Sequence, residues 1–115
     1  MKKVLIAEDS PVDSQNLSRI FADAGWTVVF ATNGQDAITK AKSEVPDLIM
    51  MDVNMPGLDG FSATRKIMGD PVTKGIPVVF VTSKDQKADR VFAQMLGAKA
   101  FVTKPYTATQ ILEAL

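Results

Sequence analysis

Several polar residues with reactive or ligand-forming side chains stand directly after short apolar runs. These polar positions are Glu8-Asp9, Asp52-Val53-Asn54, Thr82-Ser83 and Lys104-Pro105. If the apolar runs are neighbouring parallel strands, their carboxyl ends meet at one edge of a sheet, which is where such sheets bind ligands. Three carboxylates, a hydroxyl and a lysine ammonium would then share one site.

The carboxylates of Glu8, Asp9 and Asp52 would repel one another there and raise one another's pKa, so the cluster implies a compensating cation. A set of oxygen ligands suits Mg²⁺ better than zinc or copper. A divalent cation, the Lys104 ammonium and the Thr82 hydroxyl can together neutralise the oxygens of a phosphoryl group. Asp52 is then a candidate nucleophile.

The composition excludes several other chemistries. The chain of 115 residues is 46% apolar, which fits one domain covering residues 1–115. It has no cysteine and no histidine, so thiolate metal sites, Cys nucleophiles and Ser/His mechanisms are ruled out. Thirteen basic residues balance thirteen acidic ones, which disfavours nucleic-acid binding. Glu8 and Asp9 interrupt the first apolar run far below membrane-span length, so we expect a soluble, cytoplasmic protein without membrane insertion.

Apolar runs and helical patterns alternate five times along the chain. The predicted strands are Val4 to Ala7, Thr27 to Ala31, Asp47 to Met51, Pro77 to Val81 and Lys99 to Val102. The helical patterns occupy residues 11–24, 33–44, 59–68, 88–96 and 107–115. Strands this continuous in apolar residues are typical of a parallel sheet that helices cover on both faces. In the fourth helix, Val91 and Met95 belong to the apolar stripe that we predict to be buried against the sheet. The alternation predicts a doubly wound α/β fold with right-handed crossovers.

The same polar positions resemble the receiver domain of response regulators, the CheY-like family, over essentially all of the chain. The matching pieces are Glu8-Asp9, the block from Met51 to Gly60, Thr82-Ser83, Phe101 and Lys104-Pro105, in the family's order and spacing. The resemblance implies a flavodoxin-like fold with a five-stranded sheet in the order 2-1-3-4-5 and helices on both faces.

The resemblance also implies a role for each residue. Asp52 would accept a phosphoryl group from the phosphohistidine of a sensor histidine kinase. Mg²⁺ would be bound directly by Asp9, Asp52 and the Asn54 backbone carbonyl, and through water by Glu8. The family signals by its own phosphorylation and is not an enzyme for external substrates, although it assists its own phosphotransfer and dephosphorylation.

Three further residues would convert phosphorylation into a conformational switch. Lys104 would pair with phosphoryl oxygens, the Thr82 hydroxyl would turn toward the phosphate, and Phe101 would turn inward. The Lys104-Pro105 bond is expected to be cis.

The output would be a protein contact on the fourth helix, fifth strand and fifth helix. The residues expected on this surface are Lys84, Lys87, Arg90, Gln94, Lys99 and Tyr106. The runs 82–86 and 57–61 further resemble stand-alone receivers of chemosensory systems, including those that steer type IV pilus twitching. Chemotaxis receivers that work with a dedicated phosphatase often carry an acid at the position of Lys84, which speaks against flagellar-motor signalling. We expect Asn54 and Lys84 to set the phosphoryl lifetime.

Three other functions share part of this pattern of residues. A haloacid-dehalogenase-type phosphatase also uses a strand-end aspartate nucleophile, but a second aspartate follows it two residues later, where this chain has Asn54. A flavodoxin is disfavoured because Glu8-Asp9-Ser10-Pro11 would repel the FMN phosphate. A phosphorylation-independent pseudo-receiver that acts only as an interaction module is the remaining alternative, although every required side chain is present.

Overall fold

Five parallel strands form one sheet in a computed structural model that describes residues 2–83 and 86–115. The strands are β1 (Lys3–Ala7), β2 (Thr27–Ala31), β3 (Leu48–Met51), β4 (Val78–Thr82) and β5 (Ala100–Thr103). Their order across the sheet is β2-β1-β3-β4-β5. This is the flavodoxin-like order that the resemblance implied, so the predicted fold is confirmed.

Each strand is followed by a helix within the described ranges. The helices are α1 (Pro11–Asp23), α2 (Gly34–Glu44), α3 (Gly60–Met68), α4 (Lys87–Met95) and α5 (Ala108–Glu113). Ser10, Asn33, Asp59 and Thr107 accept hydrogen bonds from the first turns of α1, α2, α3 and α5, which satisfies backbone amides that have no partner inside the helix. None of the described helices is long and apolar enough to cross a membrane.

The alternation of side chains along the strands builds two cores. Leu5, Ile49 and Phe80 point to the face covered by α2, α3 and α4, whereas Val4 and Met50 point to the face covered by α1 and α5. The central strands β1, β3 and β4 are buried on both faces, apart from the first residue of β1. A rigid, dry sheet therefore fixes the positions of the residues that follow its strands.

Two sequence predictions about burial are wrong. The strands β2 and β5 are partly exposed because they form the two edges of the sheet. On α4, Phe92 and Leu96 pack against the core, but Val91 is 46% and Met95 is 78% exposed. Because α4 lies near the edge of the sheet, the core covers only one side of this helix, and part of its apolar stripe faces outward.

Candidate functional site

The register of the sheet brings the acidic strand ends together. Ala7 of β1 lies opposite Met51 of β3, and the Asp52 amide donates to the Ala7 carbonyl at 3.0 Å. Glu8 and Asp52, which follow these paired residues, are therefore neighbours at the carboxyl edge. A one-residue slip of either strand would turn its side chains to the opposite face.

The acidic cluster combines two buried carboxylates with one exposed carboxylate. Glu8 is 3% and Asp52 is 5% exposed, whereas Asp9 lies at the surface. One carboxylate oxygen from each of the three residues lies within 4.8 Å of the other two. The sequence prediction that Glu8, Asp9 and Asp52 converge is therefore borne out by the geometry.

Burial, and after it the adjacent Glu8 carboxylate, raise the pKa of Asp52 to about 7. The charge of Lys104 and the Asn54 backbone amide, which donates to Asp52, oppose this rise without cancelling it. In the absence of a bound cation, Asp52 is therefore partly protonated at neutral pH, whereas an ordinary aspartate is fully ionised. A bound divalent cation would lower its pKa and leave the carboxylate free to react.

Lys104 supplies the positive charge of the site. The backbone amide of Lys104 donates to the Thr82 carbonyl at 2.8 Å, and the following bond to Pro105 is cis. Its Nζ donates to Glu8 Oε2 and to Asp13 Oδ2, each at 2.9 Å, and lies 3.8 Å from Asp52 Oδ1. Burial disfavours the ammonium, but these carboxylates outweigh that cost and raise the pKa of Lys104 above its ordinary value. The lysine is therefore a permanent charge.

Asp13 is a member of the site that the sequence analysis missed. It lies in the first turn of α1, where its backbone amide donates to the Ser10 hydroxyl. The signal that would have revealed it is its position, because Asp13 lies in the first turn of the helix that follows β1 and therefore stays close to the carboxyl edge of that strand.

Two glycines position the loop after β3 and were also missed. A Cβ atom on Gly60 would lie 2.1 Å from the Asp52 carbonyl oxygen, and one on Gly34 would lie 2.2 Å from the Leu58 carbonyl oxygen. Only glycine lets α3 and α2 start this close to the loop backbone. The Gly60 amide also donates to the Val53 carbonyl at 2.9 Å. The backbone that carries Asp52 is therefore clamped between the sheet and the start of α3.

The donor set fits a magnesium ion. Three carboxylates that can approach one point give the hard oxygen ligands that Mg²⁺ requires. Among the described residues, the carboxyl groups of Glu8, Asp13 and Asp52 lie within 3.8 Å of the Lys104 ammonium, and Asp9 adds another carboxyl group to the cluster, so the site holds more acidic groups than this one lysine can balance. A divalent cation would supply the missing positive charge.

The remaining predicted site residues lie at the same edge or on the adjoining surface. Thr82 is fully buried at the end of β4, and Ser83 is exposed directly after it. Asn54 is exposed in the loop after β3. Lys84, for which we predicted effects on lifetime and on partner choice, lies outside the described residues.

Phe101 lies on β5 opposite Phe80 of β4 and is only partly buried. The Arg90 guanidinium lies 4.8 Å from the centre of the Phe101 ring, and Arg90 also donates to the Thr103 hydroxyl at 2.9 Å. A groove beside Phe101 is lined by residues of α4, β5 and α5. The ring is therefore held at the border between core and surface, with one face covered by a cation.

The predicted output surface is mostly exposed. Lys87, Arg90, Gln94 and Lys99 are exposed side chains, but Tyr106 is half-buried. The Tyr106 hydroxyl is buried without a hydrogen-bond partner among the described residues. Burial and the charge of Asp13 raise the pKa of Tyr106 to about 12.

Comparison with known proteins assigns the family. The family profile described as the response regulator receiver domain matches residues 4–115. The chain belongs to this family, whose members are signalling proteins that bind Mg²⁺ at an acidic site and interact with histidine kinases and downstream targets.

Two of the similar proteins are matched over nearly their whole length. Protein PilH of Pseudomonas aeruginosa is 40% identical over 115 residues, which cover 100% of this chain and 95% of PilH. The structure of chemotaxis protein CheY4 from Vibrio cholerae superposes with a TM-score of 0.91 at 30% identity, covering 98% of this chain and 94% of that one. Several other curated relatives are longer, and the chain spans only 23% to 46% of their length.

A third relative was solved with a magnesium ion coordinated in its active-site cleft. It is the receiver domain of the sensor histidine kinase PA1611 from Pseudomonas aeruginosa PAO1. Its TM-score is 0.89 at 27% identity, and the match covers 97% of this chain and 92% of that one.

Proposed function

We propose that Asp52 accepts a phosphoryl group from the phosphohistidine of a sensor histidine kinase. An Asp52 carboxylate oxygen would attack phosphorus while the bond from phosphorus to the histidine nitrogen breaks and its electron pair returns to the imidazole. The product is an acyl phosphate on Asp52.

One observation carries this proposal. The buried Asp52 carboxylate has the Lys104 ammonium 3.8 Å away and lies in the same cluster as the Glu8 and Asp9 carboxylates. A nucleophile beside a fixed positive charge and within a cluster of oxygen ligands is an arrangement suited to phosphoryl transfer. A surface aspartate without a catalytic role would not need this burial, since unpaired buried carboxylates are costly.

Asp9, Asp52 and the Asn54 backbone carbonyl would bind Mg²⁺ directly, and Glu8 would bind it through water. When bound, the cation supplies charge neutralisation for the attacking carboxylate and for the phosphoryl oxygens. Lys104 would donate a hydrogen bond to another phosphoryl oxygen. This chain's own contribution is to hold these groups on strand ends that the sheet keeps rigid.

Thr82 and Phe101 would change position when Asp52 is phosphorylated. The Thr82 hydroxyl would donate to the new phosphoryl group, and Phe101 would move inward. Because the Arg90 guanidinium covers the Phe101 ring, that movement would also change the surface formed by α4, β5 and α5. The exposed Val91 and Met95 side chains on α4 add apolar area to this surface, which suits a protein partner.

The similarity to PilH and to chemotaxis receivers favours a role in chemosensory or pilus-motility signalling in the cytoplasm. The phosphorylation-independent interaction module is the alternative function, and the same experiment separates the two.

The test is the intact mass of the protein after incubation with acetyl phosphate and Mg²⁺, with rapid acid quenching. We expect one added phosphoryl group on the wild type, none on Asp52→Asn and none in EDTA. Asp47→Asn, at the opposite end of β3, is the control and should be phosphorylated like the wild type. A wild type that gains no phosphoryl mass would instead support the interaction module.

A further inference from the structure

The two closest partners of Lys104 are not the proposed phosphoryl acceptor. Its Nζ is 2.9 Å from Glu8 Oε2 and 2.9 Å from Asp13 Oδ2, but 3.8 Å from Asp52 Oδ1. Only 16% of the Lys104 side chain is exposed, so solvent screens these attractions weakly. The ammonium is therefore drawn toward the start of α1 and away from Asp52.

The ordinary role of a first-turn acid does not require this ion pair. Asp36 is the third residue of α2 as Asp13 is the third residue of α1, and the backbone amide of each donates to the side chain of the residue that caps its helix, Asn33 or Ser10. Asp36 pairs with Lys40 of its own helix. Asp13 pairs instead with a lysine 91 residues away, so its contact links α1 to the end of β5.

We propose that Asp13 is a positioning residue that restrains Lys104 and thereby slows phosphoryl transfer to Asp52. This inference rests on the proposed function. The Asp13 carboxylate holds one of the three ammonium protons of Lys104 and offsets part of its charge. Both effects weaken the attraction of Lys104 for an incoming phosphoryl group. Removing the negative charge of Asp13 frees the ammonium to approach the phosphoryl oxygens.

The test is the second-order rate constant for phosphorylation by acetyl phosphate, followed by intact mass at saturating Mg²⁺. Saturation matters because Asp13 lies near the acidic cluster and its loss also weakens cation binding. We expect Asp13→Asn to react about three to ten times faster, the size of effect expected for one partly screened charge a few ångströms from the reacting group. Asp13→Glu restores the charge and should return the rate to within about twofold of the wild type.

Two comparisons separate restraint of Lys104 from a structural effect on α1. Asp36→Asn removes the equivalent charge from α2 and should leave the rate unchanged. In the Lys104→Gln background, adding Asp13→Asn should give no acceleration, because the restrained ammonium is absent. Urea unfolding of each variant verifies that it is folded.

The inference would be overturned if Asp13→Asn were phosphorylated no faster than the wild type. It would also be overturned if Asp13→Asn still accelerated the reaction in the Lys104→Gln background. Either result would leave the proposed function intact. A wild type that takes up no phosphoryl group would overturn both.

Discussion

Replacing Asp52 with asparagine should stabilise the protein in the absence of divalent cations, and the gain should depend on pH. In the folded protein, burial and the Glu8 carboxylate raise the pKa of Asp52 from 3.8 to about 7. The folded state therefore keeps a proton that the unfolded chain releases. Because the unfolded state binds fewer protons between these two values, the free energy of unfolding falls as pH rises from about 4 to about 7.

The size of the effect follows from the same pKa values. The difference between about 7 and 3.8 corresponds to about 4 kcal/mol once both states are ionised. Water and counterions at the edge of the site reduce this penalty, so we expect Asp52→Asn to raise the free energy of unfolding by about 2 to 4 kcal/mol at pH 8. At pH 4.5 the folded protein holds Asp52 protonated, which resembles the amide, and the two proteins should differ by less than about 1 kcal/mol.

Urea unfolding in EDTA at pH 4.5 and pH 8 measures both values. Saturating Mg²⁺ at pH 8 should stabilise the wild type and have a smaller effect on Asp52→Asn, because the cation competes with the proton for the same oxygens.

Asp70→Asn is a control that should change the free energy of unfolding at pH 8 in the opposite direction from Asp52→Asn. The Val72 amide donates to Asp70 Oδ1 at 2.9 Å and holds the pKa of Asp70 below its ordinary value. Its stabilising effect is present above the ordinary pKa and is lost as pH falls, so Asp70→Asn should destabilise the protein at pH 8. If Asp52→Asn changed stability equally at both pH values, or destabilised the metal-free protein at pH 8, the electrostatic description of the site would be wrong.

Two further substitutions, Gly60→Ala and Tyr106→Phe, test the packing around the site, and Gly75→Ala is the control for the first. Gly60→Ala places a methyl group 2.1 Å from the Asp52 carbonyl oxygen and should lower the free energy of unfolding by about 2 to 4 kcal/mol in urea. Gly75→Ala, with nothing within 4 Å of the added carbon, should leave stability unchanged or raise it by up to about 1 kcal/mol; equal losses from both would refute the close-approach explanation. Tyr106→Phe removes a buried hydroxyl that lacks a partner among the described residues and should raise thermal stability by about 1 kcal/mol. A clear loss of stability would mean that the Tyr106 hydroxyl does have a hydrogen-bond partner.

The fold and the acidic core of the site were predictable because both depend on local sequence signals. Ser10, Asn33, Asp59 and Thr107 cap helices that the sequence marks with proline, acids or a capping-box spacing. Once the strands alternate with helices, parallel pairing places the residue after each strand at one edge, which is why Glu8 and Asp52 could be predicted as neighbours.

Contacts set by three-dimensional packing could not be predicted in the same way. The Lys104–Asp13 pair spans 91 residues, and no local pattern shows which of several acids a lysine will contact. The close approach of Gly60 to the Asp52 backbone depends on where α3 starts relative to β3. The exposure of Met95 depends on whether a helix at the edge of the sheet is covered on both sides. The periodicity of the sequence identifies an apolar stripe on a helix, but it does not show how much of that stripe other parts of the protein bury.

Chemical trapping identifies directly which carboxylate becomes phosphorylated, and we expect it to be that of Asp52. An acyl phosphate is reduced by borohydride to an alcohol, which converts the modified aspartate to homoserine and marks it permanently. The protein is incubated with acetyl phosphate and Mg²⁺, reduced, digested and sequenced by mass spectrometry, with an EDTA sample as control. We expect homoserine at position 52 only, and only with Mg²⁺. Homoserine at position 9 or 13, the longer alcohol 2-amino-5-hydroxypentanoic acid at position 8, or no reduced residue although the wild type is folded and Mg²⁺ is present, would contradict the assignment of Asp52 as the phosphoryl acceptor.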